Sequence, residues 1–166
     1  PYAWLRDDAL PTLTDSAVRR HLEAENRYTD AVLAPLAPLK QVLRDQLAER
    51  IDPKEHGVPW RSTAGTFRWA FSEGAQYPCW YRLSGDEETL ILDEPALAKG
   101  ATAFSLGAFA PSPWGNFLAY AVDRSGSEHY ELRYRPLRGG SEAVVHERAA
   151  GGVVWAGDES GFFYLI

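Results

Sequence analysis

The sequence predicts an α+β chain in which an N-terminal helical hairpin is followed by antiparallel β-strands arranged as propeller blades. Residues 15–51 carry apolar side chains at helical spacing, whereas from about Val58 onward short apolar runs alternate with turn residues. Two segments of the strand half repeat one pattern about 45 residues apart, a period typical of propeller blades. The six Trp, eight Tyr and seven Phe also favour β-structure.

The helical hairpin is predicted from capping residues and prolines. Thr14 or Asp15 can accept hydrogen bonds from the first turn of one helix, and this helix should end before Pro35. A second helix is predicted near residues 37–50, and the short link "APLAP" suggests that the two helices lie against each other. Their apolar stripes comprise Val18, His21, Leu22, Tyr28, Val32 and Leu33 on the first helix and Leu36, Leu39, Leu43 and Leu47 on the second.

Two charged residues sit at these stripes, Glu25 on the first helix and Arg50 on the second. They would have to pair if they were buried between the helices, because an unpaired buried charge is costly. Alternatively, the edges of the stripes are hydrated and both charges reach water. The sequence slightly favours the hydrated alternative.

The strand half is predicted from an internal repeat. The segments "FAPSPWGNFLAY" and "VWAGDESGFFYL" share an apolar strand end, a polar turn, a glycine and a second apolar strand, with Phe117 matched to Phe162. A looser copy begins at "GTFRWAFS", and further strands are predicted at "FLAYAVD", "HYELRYRPL" and "EAVVHER". Four short strands per unit fit a propeller blade, so the chain has room for two blades and the opening hairpin of a third.

One polar stretch resembles a catalytic cluster, because Asp123, Ser125, Ser127, Glu128 and His129 lie within a few residues. A Ser-His-Asp triad needs side chains that converge from separate elements, whereas neighbouring strand residues point to opposite faces. The stretch "DRSGSE" therefore predicts a hairpin loop in which Asp123 and Ser125 satisfy loop amides. The preceding "SPWG" predicts another turn.

Other signals for chemistry are weak. The segment "AFSLG" around Ser105 lacks the first glycine of a nucleophile elbow, and Cys79 lies in the alternating strand "YPCWYRL", where a core role is favoured. His21, His56 and His146 show no metal-ligand spacing, and neither a phosphate-binding loop nor a dinucleotide motif is present. The sequence therefore assigns no catalytic, cofactor-binding or metal-binding residue and predicts no cofactor.

Composition excludes several classes of protein. The net charge of -6 argues against a nucleic-acid surface, and no apolar run is long enough to span a membrane. The N-terminal "PYAWLRDD" does not have the pattern of a signal peptide. The single cysteine excludes an internal disulfide and suits a reducing compartment, so a cytoplasmic location is expected.

The chain resembles the N-terminal part of the oligopeptidase B (protease II) branch of the prolyl oligopeptidase family of serine peptidases. The residues that carry the resemblance are "PYAWLRDD", "HLEAENRYTDAVLAPLAPLKQVLRDQLAERI", "GAQYPCWYRL", "FSLGAFAPSPWGNFLAYAVDRSGSEHYELR" and "GGVVWAGDESGFFYLI". Trp114 stands where the family usually has aspartate, a change confined to one turn.

The resemblance implies a seven-bladed propeller that screens an α/β-hydrolase domain, and a peptidase that cleaves peptides after Arg or Lys. Residues 1–51 would form an arm that packs on this C-terminal domain, and residues 58–166 would form blades 1 and 2 and the start of blade 3. The triad would lie beyond Ile166, so the segment itself would be non-catalytic.

A second hypothesis is a stand-alone propeller-like binding or scaffold module, completed by self-association or by a partner. The sequence stops at "GFFYLI", inside what should be a strand, and this favours a segment of a larger protein.

Overall fold

A computed structural model describes residues 2–6 and 14–166 of the chain. Residues 1 and 7–13, which include the two aspartates of "PYAWLRDD", lie outside the described residues. The chain divides into two compact units, Pro1–Asp52 and Pro53–Ile166. Among the described residues, no helix has the length and apolar character needed to cross a membrane.

The first unit contains the two predicted helices. Helix α1 (Ser16–Leu33) begins where the sequence predicts, because the Asp15 carboxylate accepts hydrogen bonds from the backbone N–H of Ala17 at 2.7 Å and of Val18 at 3.4 Å. A 3-10 turn over Ala34–Leu36 then leads into helix α2 (Ala37–Ala48). Pro35 lies in this turn, so the predicted end of α1 is confirmed.

The apolar stripes of the two helices are mostly exposed. Val18 is buried, but Leu22 and Leu33 on α1 are about half exposed, and so are Leu39 and Leu43 on α2. The apolar stripes are therefore largely exposed, while the predicted helical hairpin itself is confirmed.

Glu25 and Arg50 are both exposed, so the structure supports the hydrated alternative for these two charges. An ion pair between exposed side chains contributes little to stability, so neither charge is expected to hold the helices together.

The second unit is built almost entirely from β-strands. Their bounds are β1 (Trp60–Ser62), β2 (Gly65–Ala70), β3 (Cys79–Ser84), β4 (Glu87–Asp93), β5 (Ser105–Pro111), β6 (Phe117–Asp123), β7 (Tyr130–Pro136), β8 (Ala143–Ala149), β9 (Val153–Trp155) and β10 (Phe162–Tyr164). The strands form two four-stranded antiparallel sheets, β1-β2-β3-β4 and β5-β6-β7-β8, followed by the hairpin β9-β10. The predicted fold, two blades and the opening hairpin of a third, is confirmed.

The register of the hairpins refines the predicted repeat. In the hairpin β5-β6, Pro111 pairs with Leu118, and in β9-β10 Trp155 pairs with Phe162. Phe162 therefore corresponds to Leu118 and not to Phe117, so the sequence match was one residue out of register. The reason is that turn length sets the register of a hairpin, whereas the match relied on aromatic side chains.

Aromatic side chains fill the seam between the first two sheets. Phe109 of β5 stacks on Trp80 of β3 with ring centroids 4.3 Å apart, and it contacts Phe67 of β2 edge-on at 6.1 Å. Trp60 completes this cluster, and Phe67 is fully buried. The seam is therefore a packed core shared by two blades, in which aromatic pairs contribute beyond the area that they bury.

A short helix, α3 (Glu94–Ala98), interrupts the region for which the sequence predicts only strands and turns. Asp93 caps it by accepting a hydrogen bond from the Ala96 N–H at 2.9 Å, and Pro95 lies in its first turn. A capping aspartate followed two residues later by a first-turn proline could have indicated this helix.

Candidate functional site

The polar stretch after β6 is a hairpin loop organised by one buried carboxylate. Asp123 Oδ1 accepts hydrogen bonds from the backbone N–H of Ser125 at 2.8 Å and of Gly126 at 3.0 Å, and Oδ2 accepts one from the Glu128 N–H at 2.7 Å. Gly126 has a φ of 78°, which glycine adopts readily. The predicted hairpin loop and the role of Asp123 in it are confirmed, whereas the Ser125 hydroxyl bonds to Asp123 and not to a loop amide.

The serines of the loop are engaged with their neighbours. The Ser125 hydroxyl donates to Asp123 Oδ1 at 3.0 Å, and its oxygen lies 2.9 Å from that of Ser127. The exposed His129 contacts Ser127 through its backbone N–H, which donates to Ser127 Oγ at 3.4 Å. The Ser125 hydroxyl thus bonds to a carboxylate and not to an imidazole. In a Ser-His-Asp triad the histidine lies between the serine and the acid, so these residues are not arranged as a triad.

Replacing Asp123 by alanine is expected to lower the free energy of unfolding by about 2–4 kcal/mol, because several loop amides lose a charged acceptor. Asp123→Asn keeps one acceptor oxygen and should lose less. Urea denaturation of the three proteins at neutral pH measures the difference. Equal stability of wild type and Asp123→Ala would contradict the role of Asp123 as the organiser of the loop.

The Asp123 carboxylate also makes the free energy of unfolding depend on pH. Burial alone would raise the pKa of Asp123, but the hydrogen bonds from Ser125, Glu128 and Gly126 outweigh it and hold the pKa below its ordinary value of 3.8. Its contribution to stability is therefore complete above the unfolded pKa and is lost as the pH falls through the lower native pKa. In acidic buffers the wild type should lose this contribution, and Asp123→Ala should show no such loss.

The contacts of Cys79, His21 and His146 are those of packing residues. Burial, followed by the Asp93 carboxylate, raises the pKa of the Cys79 thiol, which keeps it protonated and a poor nucleophile. His21 packs edge-on against Trp4 at 5.1 Å, and His146 lies 5.8 Å from the Tyr164 ring. Across residues 2–6 and 14–166, no group of three or more His, Cys, Asp or Glu side chains could hold a metal ion.

The first strands of the second and third blades approach each other. Of the strands that belong to different sheets, β5 and β9 approach each other most closely. A Cβ atom added at Gly107 of β5 would lie 2.9 Å from the Gly151 Cα, a separation that only glycine allows. The Trp155 indole N–H also donates to the Ala110 carbonyl at 2.8 Å. In a closed propeller the first strands of the blades line the central channel, so β5 and β9 would lie on its wall once the ring is complete.

The turn between β5 and β6, residues 112–116, is held from both sides by neighbouring blades; we call it the rim turn. From the first blade, Arg82 donates from Nη1 to the Gly115 carbonyl at 3.1 Å and from Nη2 to the Ala64 carbonyl at 2.9 Å. From the third, Glu159 accepts from the Trp114 N–H at 2.6 Å and from Asn116 Nδ2 at 2.9 Å. A cation thus binds its carbonyl while a carboxylate binds its N–H groups.

Sequence reasoning missed Arg82 and Glu159. Each reaches a turn that is distant in the chain, so only the stacking of the blades brings the partners together. A charged residue in the equivalent turn of the next repeat is the one signal that the sequence offered.

The first unit presents an apolar groove of about 860 Å³ along α2 and the end of α1. Its lining includes Leu33, Leu36, Leu39, Leu43, Leu47 and Ile51, all at least half exposed. An exposed apolar patch of this kind is typical of an interaction surface.

Comparison with known proteins connects these features. Residues 1–166 match the family described as "Prolyl oligopeptidase, N-terminal beta-propeller domain". The chain is 32% identical over 185 aligned positions to dipeptidyl aminopeptidase BI of Pseudoxanthomonas mexicana, with 99% of this chain and 25% of that protein covered.

Two solved structures share the fold. Oligopeptidase B from Leishmania major gives a TM-score of 0.82 at 24% identity and covers 99% of this chain and 24% of that one. Oligopeptidase B from Trypanosoma brucei, with covalently bound antipain, gives 0.79 at 27% identity and covers 99% and 23%. The chain spans about a quarter of the length of these relatives. With two propeller blades and an opening hairpin that match the family model along the whole sequence, the chain belongs to the family of prolyl oligopeptidase N-terminal β-propeller domains.

Proposed function

We propose that this chain is the non-catalytic N-terminal segment of a serine peptidase that cleaves peptides after Arg or Lys, and that its propeller limits entry by size. The observation that carries the proposal is the pair of complete four-stranded blades, followed by an opening hairpin, in a chain that matches the family propeller throughout. A ring of such blades over an active site admits thin, flexible chains and rejects folded domains on steric grounds.

The proposed partner of residues 1–51 is a C-terminal α/β-hydrolase domain of the same protein. The groove along α2 supports this partner, because its leucines are exposed and would be buried against an apolar surface. The net charge of -6 would also attract cationic peptides at low salt. The location proposed from the single cysteine is the cytoplasm, which cell fractionation would test.

Labelling by a fluorophosphonate tests whether the nucleophilic serine lies outside this chain, because the reagent reacts with an activated serine. We expect the complete enzyme to be labelled and to hydrolyse an arginyl substrate, and the 166-residue chain to do neither. Ser112 is fully buried and its hydroxyl oxygen accepts the Phe117 N–H at 2.9 Å, so it is not placed as a nucleophile. Stoichiometric labelling of the chain at Ser105, Ser112 or Ser127 would overturn the proposal.

A second candidate activity is removal of dipeptides from a free amino terminus. The observation that favours it is the 32% identity to a dipeptidyl aminopeptidase, against 27% to the oligopeptidase B with bound antipain. Paired substrates that differ only in an acetyl group on the terminal amine separate the two candidates. An endopeptidase cleaves both substrates, whereas a dipeptidyl aminopeptidase requires the free amine.

A further inference from the structure

The turn between β9 and β10 contains a residue in an uncommon backbone conformation. Glu159 has a φ of 56°, a region in which residues other than glycine are strained. The turns β5-β6 and β9-β10 have the same backbone hydrogen bonds. In the β5-β6 turn the Ser112 N–H donates to the Phe117 carbonyl, and the Gly115 N–H donates to the Ser112 carbonyl. In the β9-β10 turn the Ala156 N–H donates to the Gly161 carbonyl, and the Glu159 N–H donates to the Ala156 carbonyl. Glu159 therefore occupies the position that Gly115, with a φ of 69°, holds one blade earlier.

The side chain of Glu159 explains why glycine is absent there. Its two carboxylate oxygens accept hydrogen bonds from the Trp114 N–H and from Asn116 Nδ2 of the rim turn. None of these groups belongs to its own hairpin, so the strain at Glu159 is offset by bonds to the neighbouring blade. Glycine would remove the strain and the connection together.

On its other side the rim turn lies close to the first blade. A Cβ atom added at Gly115 would lie 2.5 Å from the Ala64 carbonyl oxygen, so the turns of the first two blades touch. The guanidinium of Arg82 binds both turns at once. Because these turns follow the first strands of their blades, they would stand at one mouth of the channel in a closed propeller.

We propose that Arg82 and Glu159 are positioning residues that fix the spacing of adjacent blades at this mouth and so determine how large a peptide can pass. This inference rests on the proposed size-limiting function. The two charges act on one turn from opposite sides, so loss of either should allow the hairpins to separate. Passage of long substrates should then become easier, while chemistry at the active site is unchanged.

The test uses the complete enzyme and the variant Glu159→Gly, which keeps the backbone conformation that glycine prefers. Ser160→Ala is the matched control, because the Ser160 hydroxyl donates to Asp158 of its own turn at 2.6 Å. Arg82→Lys removes the forked contact from the other side. For each protein, kcat and KM are measured on a short substrate and on a longer peptide with the same cleavage site.

We expect Glu159→Gly and Arg82→Lys each to raise kcat/KM for the long peptide at least about threefold relative to the short one. A change of this magnitude is expected where the coupling between two sites is modest. Kinetics on the short substrate and the behaviour of Ser160→Ala should match wild type, and amide exchange at Trp114 should speed up in Glu159→Gly. An unchanged ratio of long to short substrate in both variants would overturn this inference alone. A wild type that cleaves long and short peptides equally well would overturn the size-limiting function as well.

Discussion

Replacing Phe67 by alanine is expected to lower the free energy of unfolding of the blade unit by about 3–5 kcal/mol, the cost of removing a large aromatic side chain from a packed core. Phe67 is fully buried and contacts Trp60 at 5.8 Å and Phe109 at 6.1 Å, so its ring touches both the first and the second sheet. The cavity would open in the seam where one blade rests on the next, and the loss would affect both sheets together.

Guanidinium unfolding, followed by tryptophan fluorescence at low protein concentration, measures this effect. Phe163→Ala is the matched control, because the same ring is removed from a side chain that is 74% exposed. The control should stay within about 0.5 kcal/mol of wild type, as is usual for surface substitutions. A loss below about 1 kcal/mol for Phe67→Ala would show that the two sheets do not share a core.

The 166-residue chain expressed alone is expected to self-associate, and this is the second large effect. The groove along α2 exposes Leu39, Leu43 and Leu47 by 50–60%, and the strand β10 exposes Phe163. Apolar patches and unpaired strand edges recruit other chains. Sedimentation over a range of concentrations should therefore show species larger than the 18.5 kDa chain.

A double variant, Leu39→Lys with Leu43→Lys, should shift the distribution toward the monomer, because it places charges in the groove. Gln41→Lys adds a charge to the same helix outside the residues that line the groove, and it should leave the distribution unchanged. A wild-type chain that stays monomeric and unfolds cooperatively at all concentrations would contradict the expectation. It would mean that the exposed leucines do not need a covering surface.

Local signals in the sequence were sufficient for much of the fold. Asp15 starts α1 and Pro35 ends it, because caps and prolines act on the nearest turn of backbone. Strand β6 was predicted with the bounds that it has, and Asp123 organises its loop as the spacing of the polar residues predicted. The family resemblance also followed from segments in order along the chain and is confirmed.

Only the tertiary structure decided which surfaces meet. The apolar stripes of the helices are exposed in it, and Phe162 corresponds to Leu118 in the repeat. Arg82 and Glu159 both bind the rim turn. These features depend on contacts between residues that are distant in the chain, and no nearest-neighbour pattern encodes them. The sequence alone determined caps, turns and strands, because a few adjacent residues set their energies; the spacing of blades depends on how whole sheets pack, so it required the folded structure.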